Sequence, residues 1–280
     1  QNTSTIIGST PTVTVSKFLP VDSAAALALG ARALKPEKSL SYTAGFTYQH
    51  GALNLTVDVY QIRVDDRIVK TEFLGTSSNG GSAIRAILLA NGVTGVDSAQ
   101  FFTNAIDTRT RGIDAVADYI WRTGTLGTFR LSAAYSYNKT AILRVAANPA
   151  QLASLNVTLF GRQAQRDLVV ALPHDKIVLS SDWSRGPAHA LLRLTRYGSY
   201  TESSNVPSGD RTFGAKWVTD LELGYDLTKR ITLSAGANNL FDVYPQKNGA
   251  IGYDGSGAYG NFAPFGLSGG FYYGRISVKI

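Results

Sequence analysis

The chain has 280 residues, 44% of them hydrophobic and 17% charged, with a net charge of +7 and neither cysteine nor methionine. A disulfide frame, a thiolate metal site and a cysteine nucleophile are therefore excluded, and the Lys and Arg are scattered without a basic run, which argues against nucleic acid as a partner. No run approaches the roughly 18 consecutive apolar residues of a membrane helix, which excludes helical spans but not membrane strands, whose apolar residues come at every second position.

A chain that opens on Gln1 without Met reads as a mature product or a fragment. Residues 1–38 form a long connection with a weakly helical stretch at 24–34. Alternation then sets in: Leu40, Tyr42, Ala44, Phe46 and Tyr48 oppose Ser41, Thr43, Gly45, Thr47 and Gln49. After a short connection at 50–52, Leu53, Leu55, Val57 and Val59 oppose Asn54, Thr56 and Asp58, and the phase is expected to break near Tyr60 at a β-bulge. Residues 70–107 are a long connection with a second weakly helical stretch at 82–91. Ile113, Ala115, Ala117, Tyr119 and Trp121 follow, against Gly112, Asp114 and Asp118. A short connection at 122–127 leads to Phe129, Leu131, Ala133, Tyr135 and Tyr137 against Arg130, Ser132, Ala134, Ser136 and Asn138.

Beyond the long connection at 141–174, Ile177, Leu179 and Trp183 oppose Ser180 and Asp182. Past the short one at 185–187, Leu192 and Leu194 oppose Arg193 and Thr195. A long connection at 199–213 precedes Trp217, Leu221, Leu223 and Tyr225, set against Asp220, Glu222 and Asp226. A short one at 226–229 precedes Ile231, Leu233, Ala235 and Ala237, set against Thr232, Ser234, Gly236 and Asn238. The long connection at 241–269 ends at Tyr272, Ile276, Val278 and Ile280 against Tyr273, Arg275, Ser277 and Lys279. These are about nine strands, each with one apolar and one polar face.

Two further regularities bear on what lies against each face. Short and long connections alternate, so one end of the strands carries tight turns and the other large loops. On the apolar face, Tyr48, Trp121, Phe129, Trp183 and Tyr225 fall at the short-turn end, and Tyr42, Tyr135, Tyr137, Trp217 and Tyr272 at the long-loop end. The eight steps from Trp217 to Tyr225 cover about 27 Å of strand, or about 20 Å of depth at the tilt of a membrane barrel. A soluble β-sandwich explains alternation but neither the two aromatic belts nor the one-sided loops. The reading is an all-β, antiparallel transmembrane β-barrel. About nine strands cannot close as a bacterial barrel does, and open edges are not tolerated in lipid, so residues 1–280 read as the C-terminal part of a larger barrel domain.

Five stretches in order resemble the C-terminal barrel of TonB-dependent outer-membrane receptors: LKPEKS at 34–39, TNAIDTRTRGIDAVADY at 103–119, LPHDK at 172–176, NNLFDVYP at 238–245, and PFGLSGGFYYGRISVKI at 264–280. The resemblance implies a 22-stranded barrel with an N-terminal plug, importing a scarce nutrient such as siderophore-iron, cobalamin or carbohydrate. Its partners would be outer-membrane lipid and lipopolysaccharide, its own plug and remaining strands, the TonB complex and the barrel-assembly machinery. Tyr272, Ile276, Val278 and Ile280 suit the last, although the family more often ends in Phe. The family implies no cofactor and no chemistry of its own. A passive porin or autotransporter-type barrel is the alternative, and a hydrolase built on His174 beside Asp175 a third reading, for which no nucleophile is marked out.

Ligand contacts are expected from the long loops, with aromatic surface from Tyr253, Tyr259 and Phe262 and positive charge from Arg144, Arg162 and Arg166. Asp65, Asp66 and Arg67 read as a solvated rim, too few oxygen ligands for calcium. Asp114, Asp118, Asp182, Asp220, Glu222, Arg130, Arg193 and Arg275 face the lumen, pairing with one another or with a plug. Gly255, Gly257 and Gly260 spell G-x-G-x-x-G, but with no strand before and no helix after they read as a loop and not a dinucleotide site. Three scattered histidines, His50, His174 and His189, without cysteine do not make a metal or haem site.

Overall fold

The computed structural model describes residues 2–7, 10–155, 157–248 and 258–279, with side chains from residue 15 onward. In chain order the elements are β1 (Asn2–Ile7), β2 (Thr10–Phe18), α1 (Ala24–Ala28), β3 (Lys38–His50), β4 (Leu53–Lys70), α2 (Gly81–Ala90), β5 (Ser98–Gln100), β6 (Phe102–Arg122), β7 (Thr128–Val145), α3 (Arg162–Val170), β8 (Asp175–Arg185), β9 (Ala188–Tyr197), β10 (Tyr200–Glu202), β11 (Arg211–Phe213), β12 (Lys216–Asp226), β13 (Ile231–Asn238) and β14 (Phe271–Val278). One sheet holds nine antiparallel strands in the order β14-β13-β12-β9-β8-β7-β6-β4-β3. These are the nine alternating segments of the sequence, each next to its predecessor among them, joined alternately by short turns and by long connections. A three-stranded sheet (β1-β2-β5) and a two-stranded one (β10-β11) are built from the long connections.

The residues divide into two compact units. The first comprises residues 1–41, 62–110 and 140–169, and the second residues 42–61, 111–139 and 170–280. Leu29, Leu74, Ile84, Leu88, Phe101 and Leu152, all almost fully buried, form the core of the first unit. α1 begins at Ser23, whose Oγ accepts the Ala26 N–H (3.3 Å), and stops early because Gly30 takes a left-handed φ of 86°. The helix is thus five residues, shorter than the stretch 24–34 expected. α2 matches its expected stretch, opening after a left-handed Gly80 and burying Ile84 and Leu88 one turn apart.

In the second unit the apolar face of the sheet is uncovered. Tyr42 is 61% exposed, Leu223 55% and Ile276 69%, and Trp121, Leu179, Leu192, Trp217 and Tyr225 are exposed as well. A sandwich would bury these residues at a few per cent, so the sandwich alternative fails on the side chains it needs as core. The aromatic belt at the short-turn end is continuous across three strands: Trp121 and Phe129 lie 5.5 Å apart by ring centroid, and Phe129 and Trp183 6.4 Å. Trp183 Nε1 donates to the Leu126 carbonyl (2.7 Å), giving the indole an apolar body and a satisfied polar tip. At the other end, Tyr272 Oη donates to the Leu240 carbonyl (3.0 Å).

The expected phase break near Tyr60 is not there. Tyr60 stays on the polar face, its ring against Gly112 of β6, where a Cβ would overlap the phenol. The chain tolerates a bulky aromatic among small polar residues because glycine opposite leaves it room. Gly236 does the same for Tyr273, whose ring would lie 2.7 Å from an added Cβ. Also on the polar face, Arg275 Nη2 donates to both Glu222 oxygens (2.6 Å each) and Tyr273 Oη to Oε2 (2.6 Å), so one carboxylate gathers three bonds across β13. Arg130 stands directly across from Asp182, and Arg193 from Asp220, the cross-strand charge alternation that stabilises a polar face.

Candidate ligand-binding loops

The true interruption of β4 lies at Asp66, whose φ of 53° is left-handed. Its N–H donates to Asp107 Oδ1 (2.9 Å) and its carbonyl accepts from Asn104 Nδ2 (2.6 Å), so side chains of β6 replace the ladder partners that the kink removes. Arg144 of β7 closes the knot: Nε donates to Asp107 Oδ2 (2.6 Å), and Nη2 to Asp107 Oδ1 (2.8 Å) and Asp66 Oδ1 (3.1 Å). Asn104 also brackets Lys35, accepting its N–H (2.8 Å) and donating to its carbonyl (2.9 Å), and Glu37 Oε1 accepts the Ile68 N–H (2.7 Å). The residues of LKPEKS, the charged trio at 65–67 and the start of the 103–119 stretch thus form one hydrogen-bonded junction. Its residues fall outside the segments read above as membrane-spanning strands, 53–60, 112–121 and 128–138. The Arg144 guanidinium holds the Asp107 carboxyl below the usual carboxylate range, first through its hydrogen bonds. Arg144, expected to meet a ligand, carries two carboxylates of its own chain.

Arg162 and Arg166 sit on α3, both half-buried. α3 faces Glu72, whose own N–H donates to Leu159 (2.8 Å). Burial pushes the Glu72 carboxyl up, the Gly161 N–H lowers it, and Asp167 raises it again.

In the second unit the long loops are organised by aromatic stacking. Tyr200 and Phe213 lie 4.8 Å apart at 11° and are almost fully buried, pairing β10 with β11; burial and Glu202 push the Tyr200 phenol up to about 12. Tyr197 stacks on Phe265 (5.4 Å) and Tyr259 on Tyr244 (6.0 Å, 10°). The Phe262 N–H donates to Glu202 Oε1 (3.0 Å), leaving its ring 37% exposed. Of the expected ligand contacts, Arg144, Arg162 and Arg166 therefore fall in the first unit and Tyr259 and Phe262 in the second, while Tyr253 lies outside the described residues, as do Gly255 and Gly257.

The 238–245 stretch is a capped turn. Asn239 and Asp242 are both left-handed (φ 54°), conformations Asn and Asp adopt more readily than other side chains. Asn239 donates to the Val243 carbonyl (2.7 Å) and accepts its N–H (2.9 Å), Asp220 Oδ1 accepts the Asn239 N–H (2.8 Å), and Asp242 Oδ1 accepts the Gly270 N–H (2.8 Å), fastening the loop to the start of β14. Tyr272, Ile276 and Val278 line the exposed face of β14, an edge strand; Ile280 lies outside the described residues. His174 leads into β8, its carbonyl accepting the Asn138 N–H (2.8 Å) and its Nδ1 2.9 Å from the Asn138 carbonyl. Among the described residues no three His, Asp or Glu side chains converge as a metal site.

Sequence reasoning missed β1, β2, β5, α3 and the β10-β11 pair, and it missed the pairing of Asp66, Asp107 and Arg144. The left-handed Asp66 inside a strand is signalled only by an Asp-Asp-Arg run, which a solvated rim explains equally well.

The solved structures most like this one include the pyoverdine outer membrane receptor FpvA from Pseudomonas aeruginosa PAO1 (TM-score 0.54, 17% identity, covering 89% of this chain and 31% of that one). The outer membrane transporter YddB from Escherichia coli (TM-score 0.55, 12% identity, 89% and 33%) and the copper transporter OprC (TM-score 0.52, 18% identity, 88% and 32%) are similar. At these identities the likeness is one of fold, and the chain spans about a third of the length of each. No curated protein matches the sequence. Residues 3–240 match the family described as TonB dependent receptor-like, beta-barrel, and with the nine-stranded sheet, its uncovered apolar face and its one-sided loops, the chain belongs to that family.

Proposed function

We propose that this chain forms the C-terminal wall of a TonB-dependent outer-membrane receptor that binds and imports a scarce nutrient of the siderophore-iron, cobalamin or carbohydrate kind. The observation that carries the reading is the apolar face of the sheet, left bare between two aromatic belts while the buried cores lie in the long loops. Among the described residues neither β3 nor β14 has a partner on its outer edge, and an open edge in hydrocarbon leaves backbone groups unsatisfied. Further strands of the receptor pair with both edges, and a plug fills the space beside the charged polar face, where Glu222, Arg275, Arg193 and Asp220 stand.

The loops supply recognition and the wall supplies a rigid frame, so the receptor performs transport and no bond chemistry of its own. The test is uptake of labelled ferric chelates, cobalamin and oligosaccharides by cells carrying or lacking the full-length gene. Uptake that requires both the gene and the proton-motive force supports the reading. Uptake that persists after the force is collapsed supports a passive porin instead.

A further inference from the structure

We propose that the apolar face of β6 to β9 holds one phosphate-bearing lipid of the outer leaflet, its phosphate between Arg111 and Lys139 and an acyl chain in the depression below them. The proposal rests on the outer-membrane reading above. The Thr110 and Thr140 hydroxyls hydrogen-bond at 2.8 Å and the Trp121 and Phe129 rings touch, and both pairs fix one register of β6 on β7. In that register Arg111 stands directly across from Lys139, with Tyr137, of the upper aromatic belt, the next outward side chain below Lys139. Both cations belong to the apolar face by parity with Ile113 and Tyr137, and both are exposed. Arg111 Nε donates to Gln61 Oε1 (2.7 Å), which confirms its outward direction and gives it no countercharge. The nearest carboxylate on that face, Asp175 across from Tyr137, is taken by Arg196.

Like charges directly opposite on a sheet repel and destabilise the pair. They sit here one step above the belt, at the depth of the headgroups, where an anion between them turns the repulsion into two charge-assisted hydrogen bonds. Below, Ala117, Tyr119, Leu131, Ala133, Leu179 and Leu192 line a depression of about 380 Å³. It exists because Ala117 faces Ala133 across β6 and β7, two small side chains beside Leu131 and Leu179. Lys139 to Ala133 is six residues, about 20 Å along the strand, so head site and depression lie on one line of descent into the bilayer.

The experiment is native mass spectrometry of the full-length receptor extracted from outer membranes in mild detergent, reading lipid retained per protein. The R111Q/K139Q double variant is expected to lose retained phosphate-bearing lipid about tenfold or more. K139R keeps it, and A133W, with both cations intact, loses it by blocking the depression. Undiminished lipid in a double variant that still fractionates with the outer membrane overturns the lipid site alone. Absence of the wild-type receptor from that fraction overturns the location on which the proposal stands. The double variant removes a like-charge pair, so poor folding is not the expected route to lipid loss.

Discussion

Leu179 lies at the middle of the apolar band on β8, four residues from Trp183 at one belt and across from Ala133 on β7 and Leu194 on β9. Four residues are about 13 Å of strand, or about 10 Å of depth at a tilt near 40°, so an Arg introduced there cannot reach water at either end without dragging its stem past the belt. Leu179→Arg is expected to cost about 2 to 4 kcal/mol, the range for a lipid-facing cation near the midplane, which shifts the folding equilibrium about 30- to 700-fold. Ser132→Arg, on the polar face across from Ser180, is expected to cost under about 0.5 kcal/mol. The assay is urea titration of the full-length receptor folded into lipid vesicles, read by Trp fluorescence and by the heat-dependent gel shift of the barrel. Equal midpoints for the two variants would refute the assignment of lipid to the apolar face, because a soluble core and a bilayer differ in what lies against Leu179 and not in the alternation itself.

Gly112→Leu forces a branched side chain into the Tyr60 ring and is expected to cost about 1 to 3 kcal/mol, with much of the loss recovered in the Gly112→Leu/Tyr60→Ala double variant by the same titration. Asp107→Asn is expected to loosen the junction by about 1 kcal/mol, discounted because Arg144 is half-exposed, and to increase protease cleavage within residues 141–174. The folded Asp107 pKa lies below its unfolded value, so this contribution is present above about pH 4 and is lost as the pH falls through the lowered folded pKa; wild type below that pH should be cleaved like the variant at neutral pH. Glu72 has the opposite sign. Its folded pKa is raised, so ionisation opposes folding above that pKa and the penalty vanishes below the unfolded value near about 4.3. Glu72→Gln should therefore protect the 159–170 segment from hydrogen exchange at neutral pH and change nothing at pH 4.

The nine strands and the two faces were legible because lipid and lumen impose a period of two on every strand, a signal that each segment carries by itself. The belts were legible for the same reason, since Trp183 and Tyr225 mark the short-turn ends of their own strands. The loops were not. Their core joins Leu29, Leu74, Leu88, Phe101 and Leu152, residues with no common spacing, and α3 reads Arg-Gln-Ala-Gln-Arg-Asp-Leu-Val-Val, whose apolar side rests on Ala164 and Leu168 alone, too short a stripe to announce a helix. The junction of Asp66, Asp107 and Arg144 spans 78 residues between its outer members, beyond the reach of any local pattern. The candidate ligand residues fared accordingly: Arg144, expected in a loop, lies near the end of β7, and the partners that occupy it and stack Tyr259 were visible only in three dimensions.

The rings seated over Gly112 and Gly236 carry a consequence for assembly. A strand that slides by one residue turns its leucines to water and is rejected at once, but a slide of two returns every side chain to its own face, so the alternation is blind to it and only the belt residues, carried about 7 Å along the strand, register the error in the bilayer. Tyr60 and Tyr273 do detect it. Moved by two, each phenol meets a residue with a side chain where it now meets bare backbone, and Tyr273 also leaves Glu222 behind. Between the belts, where the outer surface says only odd or even, these aromatic keys and their glycine locks count the residues.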